Sequence, residues 1–356
     1  MKAYVISGRS IIWPIQAAMG GYANTPKLVD RPIPTPGPNE LLVKVDFYAA
    51  NPTDVLHLDY IGPPNSIIGC DFVGSVVSAG SDVKIHKVGD RVCGAIHGGK
   101  YPTTGSAAEY CVVADDLAIS VPAGLSSEDA VTFGVGFLTA AMVLYHTQNI
   151  PLPPATVPNS PWYFVSGGAT AVGMFVIQLA KLAGFKVIAS ASERSFDLVK
   201  SYGADHVVSY ANHKTALEEI HRITEGGVTH GVDCVGGKLN HRFAVDAFGP
   251  KGGKLTSILP GGKSNRKEVV LEDILLYRYI GKAFTFIPII MSFPAEPEKR
   301  AVFADFIAKA PFIIETYGIK PNPVEVAKGM EALPAGWDRL RAKKVSGKKL
   351  VFDFRS

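Results

Sequence analysis

The sequence predicts an α/β protein in two parts, a doubly wound parallel sheet and a second, β-rich domain of barrel type. Three observations predict it. Between residues 162 and 210 an apolar strand, a small-residue turn, a helix and a second strand follow one another at βαβ spacing. From there to residue 259 strands and helices go on alternating, the pattern of a parallel sheet covered by helices. Before residue 120 the chain instead carries short alternating strands broken by glycine and proline, as closed β structures do.

Composition sets the outer bounds. A chain of 356 residues, 47% hydrophobic and 19% charged, can bury a large core and suits two domains, or one domain split by an insertion. Its formal charge is +4, and no basic run is longer than residues 341–344, which is slight for a nucleic-acid binder. Four cysteines, Cys70, Cys93, Cys111 and Cys234, are scattered without a Cys-x-x-Cys pair or a histidine at ligand spacing. That speaks against a disulfide framework and a structural zinc, and it suits a reducing compartment. The first residues enter a strand with no secretory or transit signature, and no apolar run approaches the ~20 residues of a membrane span. The expectation is a soluble, cytoplasmic protein with neither membrane nor nucleic acid as partner.

The elements follow in order. Strand patterns cover residues 41–45, 74–80, 90–94 and 108–113, with turns at 34–38 and 88–90. A helix is predicted over 126–145, capped at Ser126 and carrying Gly134 and Gly136 in its middle. Five prolines within residues 149–161 exclude helix and sheet interior, so that stretch is a surface loop. The first strand of the parallel sheet spans 163–165 and the helix after the turn runs to residue 182. Further strands are predicted at 186–191, 206–209, 232–235 and 254–259, with helices between them. Residues 284–287 read as the last strand of that sheet. The apolar stretch 287–294 reads as a roof over substrate or part of a subunit contact. From residue 298 the pattern is helical, then a terminal strand covers 348–354.

The turn Ser166-Gly167-Gly168-Ala169-Thr170-Ala171-Val172-Gly173 carries the chemistry. Its lack of bulk at Gly167 and Gly168 lets a pyrophosphate approach backbone. The first N–H groups of the helix that follows are unpaired and lie at the positive end of its dipole. A tight turn with no ligand would need the same glycines. The position after a strand and inside a βαβ unit marks a Rossmann dinucleotide site, with Thr170 where the usual fingerprint has its middle glycine.

The end of the second strand selects the cofactor. A carboxylate there would bind the ribose of NAD and repel a 2′-phosphate. Here Ser190 stands at that place, with Ser192, Arg194 and Ser195 after it. The serine hydroxyls can donate to a phosphate, and Arg194 adds a charge-assisted bond. Tyr210, closing the next strand, can lie against adenine or donate to the same phosphate. Ser192 or Ser195 also suits the N-cap of the next helix, and Glu193 would oppose a phosphate if turned inward. The balance favours NADPH over NADH.

The segments Ala50-Asn51-Pro52-Thr53-Asp54, Gly69-Cys70-Asp71-Phe72-Val73-Gly74 and Val88-Gly89-Asp90-Arg91-Val92 precede the glycine turn. Gly203-Ala204-Asp205 and a closing Ser346-Gly347-Lys348-Lys349-Leu350-Val351 follow it. In this order they resemble the medium-chain dehydrogenase/reductase superfamily over essentially the whole chain. Within it the chain is most similar to the zinc-free fungal branch of NADPH-dependent aldehyde and enone reductases and trans-acting polyketide enoyl reductases. The resemblance implies a GroES-like substrate domain over residues 1–130 and 298–356, and a Rossmann NADPH-binding domain over 131–297. Zinc-dependent relatives place Cys at the position of Asn51, His-Glu at Cys70-Asp71 and a second Cys at Val135. A lone Cys70 falls short of the three protein ligands of a catalytic zinc, so no metal is expected.

The resemblance also supplies site residues. Thr139 matches a threonine placed beside the nicotinamide, although a helix-interior hydroxyl bonded to backbone would look the same. Asn51, Thr53 and Asp54 match a cofactor-contacting segment. Gly168, Thr170, Ala171 and Val172 fall at the pyrophosphate, where Thr170 adds a hydroxyl in place of a glycine. Leu259 and Pro260 fall at a ligand-binding strand end, and Leu350 and Val351 match a terminal segment that returns to the site. Polyketide-type relatives carry a lysine where Leu56 stands. His57, next to it, can donate a proton near neutral pH, and Tyr60, Tyr277 and Tyr279 are further donor candidates.

Three functions are thus expected. One is hydride transfer from NADPH to an α,β-unsaturated carbonyl or an aldehyde as a small-molecule substrate. Another is a trans-acting enoyl reductase whose substrate rides on a carrier protein. The third is an NADPH-binding protein without turnover. Both monomer and homodimer are compatible with the sequence.

Overall fold

The computed structural model describes residues 1–7, 25–287 and 291–355. The chain divides into two units. One comprises Met1–Val135, Tyr277–Phe312 and Pro323–Ser356, the other Gly136–Leu276 and Ile313–Asn322.

The first unit is built on a seven-stranded sheet. Its centre, Glu40–Ala49, pairs antiparallel with Asp71–Ala79, Tyr110–Ala114 and Lys349–Asp353. The register puts Ala49 opposite both Asp71 and Val351, so Asn51, Asp71 and Lys349 emerge together at one end of the sheet. Beneath that end lies an aromatic core. Trp337, fully buried on helix Leu333–Arg341, meets the Tyr4 ring edge-on at 5.3 Å, and its indole N–H donates to the Tyr48 hydroxyl at 2.9 Å. Such large side chains contribute roughly 1.5–3 kcal/mol each on burial and dominate a unit of this size.

The predicted helix over 126–145 is broken. Ser126 caps it as expected, accepting from the Asp129 N–H at 3.1 Å. The chain then runs through Ser127–Ala130, a tight turn at Val131–Phe133, helix Val135–Ala141 and a wider turn at Met142–Thr147. The break is at Gly134, and its cause is tertiary. A Cβ on Gly134 would lie 2.3 Å from Asp71 Oδ1, the same oxygen that accepts the Val135 N–H at 2.7 Å. Among the described residues no single helix is long and apolar enough to cross a membrane.

The second unit is the doubly wound sheet. Six parallel strands, Trp162–Ser166, Lys186–Ala191, His206–Ser209, His230–Asp233, Gly253–Ser257 and Val269–Asp273, lie in the order third, second, first, fourth, fifth, sixth. Their register aligns Ser166 with Ser190 and Asp233, and Asp233 with Ser257, along one carboxyl edge. Helices Ala171–Leu182 and His213–Ile223 are among those that cover the sheet. Phe164, Ile188, Ile220, Phe243, Phe248 and Leu255 form its core.

One strand assignment is corrected. Phe284–Ile287 does not belong to this sheet: it pairs antiparallel with Met291–Phe293 as a separate ribbon in the first unit. The sixth strand is Val269–Asp273, whose Glu272 and Asp273 hide the apolar signal of an edge strand exposed on one side. Of the stretch 287–294, expected as a roof over substrate or part of a subunit contact, residues 288–290 lie outside the described residues.

Candidate active site

The glycine turn sits at the carboxyl edge of the doubly wound sheet. Gly167 has φ +86°, a left-handed conformation that costs an L side chain, and a Cβ on Gly173 would lie 2.3 Å from the Gly167 carbonyl oxygen. Thr170 is the N-cap of helix Ala171–Leu182. Its hydroxyl accepts from the Gly173 N–H at 2.9 Å and donates to the Gly167 carbonyl at 2.8 Å. Its proton is turned into the loop, on the Gly167 carbonyl. What the turn offers an anion is backbone: the N–H groups of Ala171 and Val172 have no intrahelical carbonyl to reach. Gly168 packs under the turn, where a Cβ would come within 2.9 Å of the Ala189 side chain.

The groups expected at a 2′-phosphate follow the second strand, Lys186–Ala191, and Ser195 among them is buried. Ser192 and Ser195 hydroxyls lie 3.1 Å apart, Arg194 is exposed between them, and the Tyr210 N–H reaches the Ala191 carbonyl at 3.3 Å. The Tyr210 side chain is half exposed. Ser190 is corrected: it is buried, and its Oγ accepts the Gly167 N–H at 3.1 Å, so it shapes the turn instead of facing a ligand.

Further along the same edge, Leu259 and Pro260 follow strand Gly253–Ser257 as exposed loop residues. A pair that sequence reading missed stands behind them. Asp233 is fully buried and accepts the Val235 and Gly236 N–H groups at 2.9 and 3.0 Å. Its other oxygen lies 2.8 Å from His241 Nδ1, and the His241 ring is where a Cβ on Gly262 would fall. The only sequence signal was an aspartate ending a strand of the parallel sheet. Thr139 lies on helix Val135–Ala141, almost fully buried.

In the first unit the Asn51-Pro52-Thr53-Asp54 segment opens helix Pro52–Leu56. Asp54 is corrected from a cofactor contact to a support. It is 1% exposed, and its Oδ2 accepts both the Asn51 N–H at 2.8 Å and the Tyr48 hydroxyl at 2.6 Å. Burial pushes its carboxyl up to about 6, against the lowering effect of those two bonds. Leu350 and Val351 are also corrected. Both are buried strand residues, Leu350 within the Trp337 core, so neither side chain is free to meet a cofactor.

What that strand delivers is its neighbour Lys349, which sequence reading passed over. It is 3% exposed, and its ammonium donates to Asn51 Oδ1 at 2.7 Å and pairs with Asp71 Oδ2 at 2.6 Å. Beside it, Cys70 Sγ lies 3.1 Å from the Tyr277 hydroxyl, which is in turn 2.9 Å from Thr53 Oγ1. His57 Nδ1 donates to the Thr53 carbonyl at 2.8 Å, so a neutral ring presents an acceptor at Nε2 and only the imidazolium has a second proton to give. His97 stacks on Tyr277 at 3.9 Å, and burial drives its imidazole well below the usual range and keeps it neutral. Leu56, where a lysine was of interest, is exposed. A cavity of about 460 Å³ in this unit, walled by Ile96, Tyr101, Val112 and Leu117, touches the cluster through His97.

Residues 37–123 match the alcohol dehydrogenase GroES-like domain, and residues 171–290 match the family described as zinc-binding dehydrogenase. The trans-enoyl reductase ACTTS2 of Alternaria alternata is 34% identical over 328 residues, covering 90% of this chain and 93% of its own length. The chain belongs to the trans-enoyl reductase family. A second trans-enoyl reductase, RAP2 of Pyricularia oryzae, is 32% identical over 363 residues and spans 98% of this chain and 99% of itself. Among solved structures, an alcohol dehydrogenase superfamily protein from Novosphingobium aromaticivorans superposes with a TM-score of 0.80 at 21% identity, over the full length of both chains. That likeness shows the fold. This trans-enoyl reductase family member is an oxidoreductase of the medium-chain dehydrogenase/reductase superfamily and binds a nicotinamide cofactor through its Rossmann unit.

The zinc in the matched family's name does not fit the residues present. Asn51 offers an amide, Asp71 is already neutralised by Lys349, and burial pushes the Cys70 thiol well above its ordinary range, so it is no thiolate. Among the described residues no group of three or more His, Cys, Asp or Glu side chains is placed to hold a metal ion.

Proposed function

We propose that this protein reduces the carbon–carbon double bond of an enoyl thioester with NADPH and without a metal ion, the substrate being presented on a separate carrier protein. The observation that carries the reading is the Lys349 ammonium held between Asn51 and Asp71, beside a neutral Cys70 thiol, where zinc relatives have ligands. Reduction of an aldehyde concentrates charge on one alkoxide oxygen. Reduction of an enoyl group spreads it over an enolate, which a few hydrogen-bond donors can meet. The shared name of the relatives points the same way.

Bound NADPH would supply the hydride to the β carbon of the substrate. The chain's own residues position the reactants. Ala171 and Val172 N–H groups hold the pyrophosphate, while Ser192, Arg194, Ser195 and Tyr210 receive the 2′-phosphate. Thr53 of the first unit offers a partly exposed hydroxyl to the thioester oxygen. His57 is 1% exposed with its Nδ1 proton held on the Thr53 carbonyl, so the final proton reaches the α carbon from solvent. The four free thiols accord with action in the reducing cytoplasm, by a monomer or a homodimer.

The test is consumption of NADPH or NADH with a panel of enoyl thioesters, enones and aldehydes, with and without chelator. Enoyl thioesters should be preferred and chelation should change nothing. Arg194→Asp should raise KM for NADPH about tenfold or more, the loss of one charge-assisted bond, and leave NADH nearly unaffected. Loss of activity on chelation, or turnover of aldehydes alone, would overturn the reading.

A further inference from the structure

We infer that Ser120, His86 and Asp115 form a second reactive site, in which Ser120 is a nucleophile toward activated acyl groups, esters and thioesters. The site lies in the first unit and stands apart from the reduction, which uses none of the three. His86 Nδ1 is 2.9 Å from Asp115 Oδ1, and His86 Nε2 is 3.0 Å from Ser120 Oγ. A carboxylate, an imidazole and a hydroxyl joined in that order turn a serine into a nucleophile, and geometry identifies the arrangement whatever the order along the chain.

The acid end sets the direction of the protons. Burial would raise the Asp115 carboxyl, but the Lys84 and Ile85 N–H groups donate to Oδ2 at 2.8 and 2.9 Å, and with the His86 bonds they hold it below its ordinary range. A carboxylate only accepts, so His86 Nδ1 carries a proton. In the neutral ring Nε2 then presents its lone pair to the Ser120 hydroxyl. His86 and Asp115 are each 7% exposed, whereas Ser120 is exposed. Any polar neighbour would satisfy a buried ring nitrogen. Here the neighbour reaches solvent, so an electrophile can reach it.

The backbone supplies a donor for the charge that attack creates. Ser120 ends the two-residue strand Ile119–Ser120, which stands last in the order of its sheet and pairs antiparallel with Arg91–Ala95. N–H groups alternate sides along a strand, and the Val121 N–H is spent on the Arg91 carbonyl at 3.0 Å. The Ser120 N–H therefore points away from that partner, toward the open edge. On the loop that carries His86, Ile85 and Val88 are 59% and 61% exposed and offer apolar surface to an acyl chain. In the step itself, Ser120 Oγ bonds to the acyl carbon as the bond from that carbon to the leaving oxygen or sulfur breaks. The Ser120 proton passes to His86 Nε2 and on to the departing alkoxide or thiolate, leaving an acyl-serine and a free alcohol or thiol.

The test treats the full chain with a fluorophosphonate probe and, separately, with p-nitrophenyl acetate, and locates the adduct by peptide mass. Both reagents should modify Ser120. The urea-unfolded chain, in which the three residues are dispersed, should react there at least about a hundredfold more slowly. Ser120→Ala should abolish both adducts and leave the circular-dichroism spectrum unchanged. His86→Gln lacks the base, and the amide of Asp115→Asn turns the ring to the wrong tautomer. Each should slow acylation about a hundredfold or more in a chain that circular dichroism shows to be folded. Either reagent leaving Ser120 unmodified, equal rates in the folded and unfolded chain, or a folded His86→Gln that reacts like the wild type would overturn the inference.

Discussion

Lys349 is a charged side chain in a place where charge is costly, since both it and Asp71 are almost wholly withdrawn from water. Removing one partner of such a pair strands the other, which costs about 3–5 kcal/mol, whereas removing both is far less harmful. Lys349→Met should therefore lower stability by that amount in urea titrations, and Lys349→Met with Asp71→Asn should recover part of it. A loss under about 1 kcal/mol in the single variant would show the pair to be incidental. Asp54 gives a second prediction through pH. Burial holds its folded carboxyl at about 6 against an ordinary value of 3.8, so the folded state binds a proton more tightly than the unfolded one. Its stabilising contribution is complete below pH 3.8 and is lost as pH rises to about 6. About 3 kcal/mol is at stake over that window, at 1.36 kcal/mol per pKa unit. In Asp54→Asn, whose amide oxygen can accept the same two bonds, this falling contribution should be absent from stability measured between pH 4 and pH 6.

At the scale of elements, the helix Ala171–Leu182 shows how local chemistry prepares a site. Thr170 closes the loop on both sides of its hydroxyl, so Thr170→Ala should cost about 1 kcal/mol of stability and Thr170→Ser should restore it. Affinity for the cofactor should fall less than tenfold in Thr170→Ala, because the anion meets backbone N–H groups that the substitution leaves in place; a larger fall by fluorescence titration would return the hydroxyl to the pyrophosphate. This element was legible because its glycines, its threonine and its apolar spacing are all local signals. The helix predicted over 126–145 was not. Its break at Gly134 is set by Asp71, a residue 63 positions earlier whose arrival no local pattern announces. The sixth strand was missed and residues 284–287 were placed in the wrong sheet for a related reason. A short apolar run states that it is a strand and leaves open which sheet it joins.

At the scale of the whole molecule, every cofactor group argued for on the Rossmann side comes from one unit, Gly136–Leu276 with Ile313–Asn322. Ligand binding to a folded unit should stabilise it by mass action. NADPH at a hundredfold excess over its Kd should add about 2.7 kcal/mol, seen as a raised thermal midpoint, and NADH at the same concentration should add less. Equal shifts from the two would remove the case for the Ser192, Arg194 and Tyr210 corner. The sequence by itself determined the alternation of strands and helices, the glycine turn, the serines and arginine in place of an acid, and the membership of a superfamily. These depend on neighbours within a few residues, where spacing and residue type are enough. Only the tertiary structure decided that Lys349 bridges Asn51 and Asp71, that Asp54 and Ser190 look inward, and that Tyr277 reaches Thr53. Ser190, Tyr277 and Lys349 meet partners 23 to 298 positions away, and even the short-range bonds of Asp54 to Asn51 and Tyr48 take their weight from burial, which exists only once the sheet has brought the chain together.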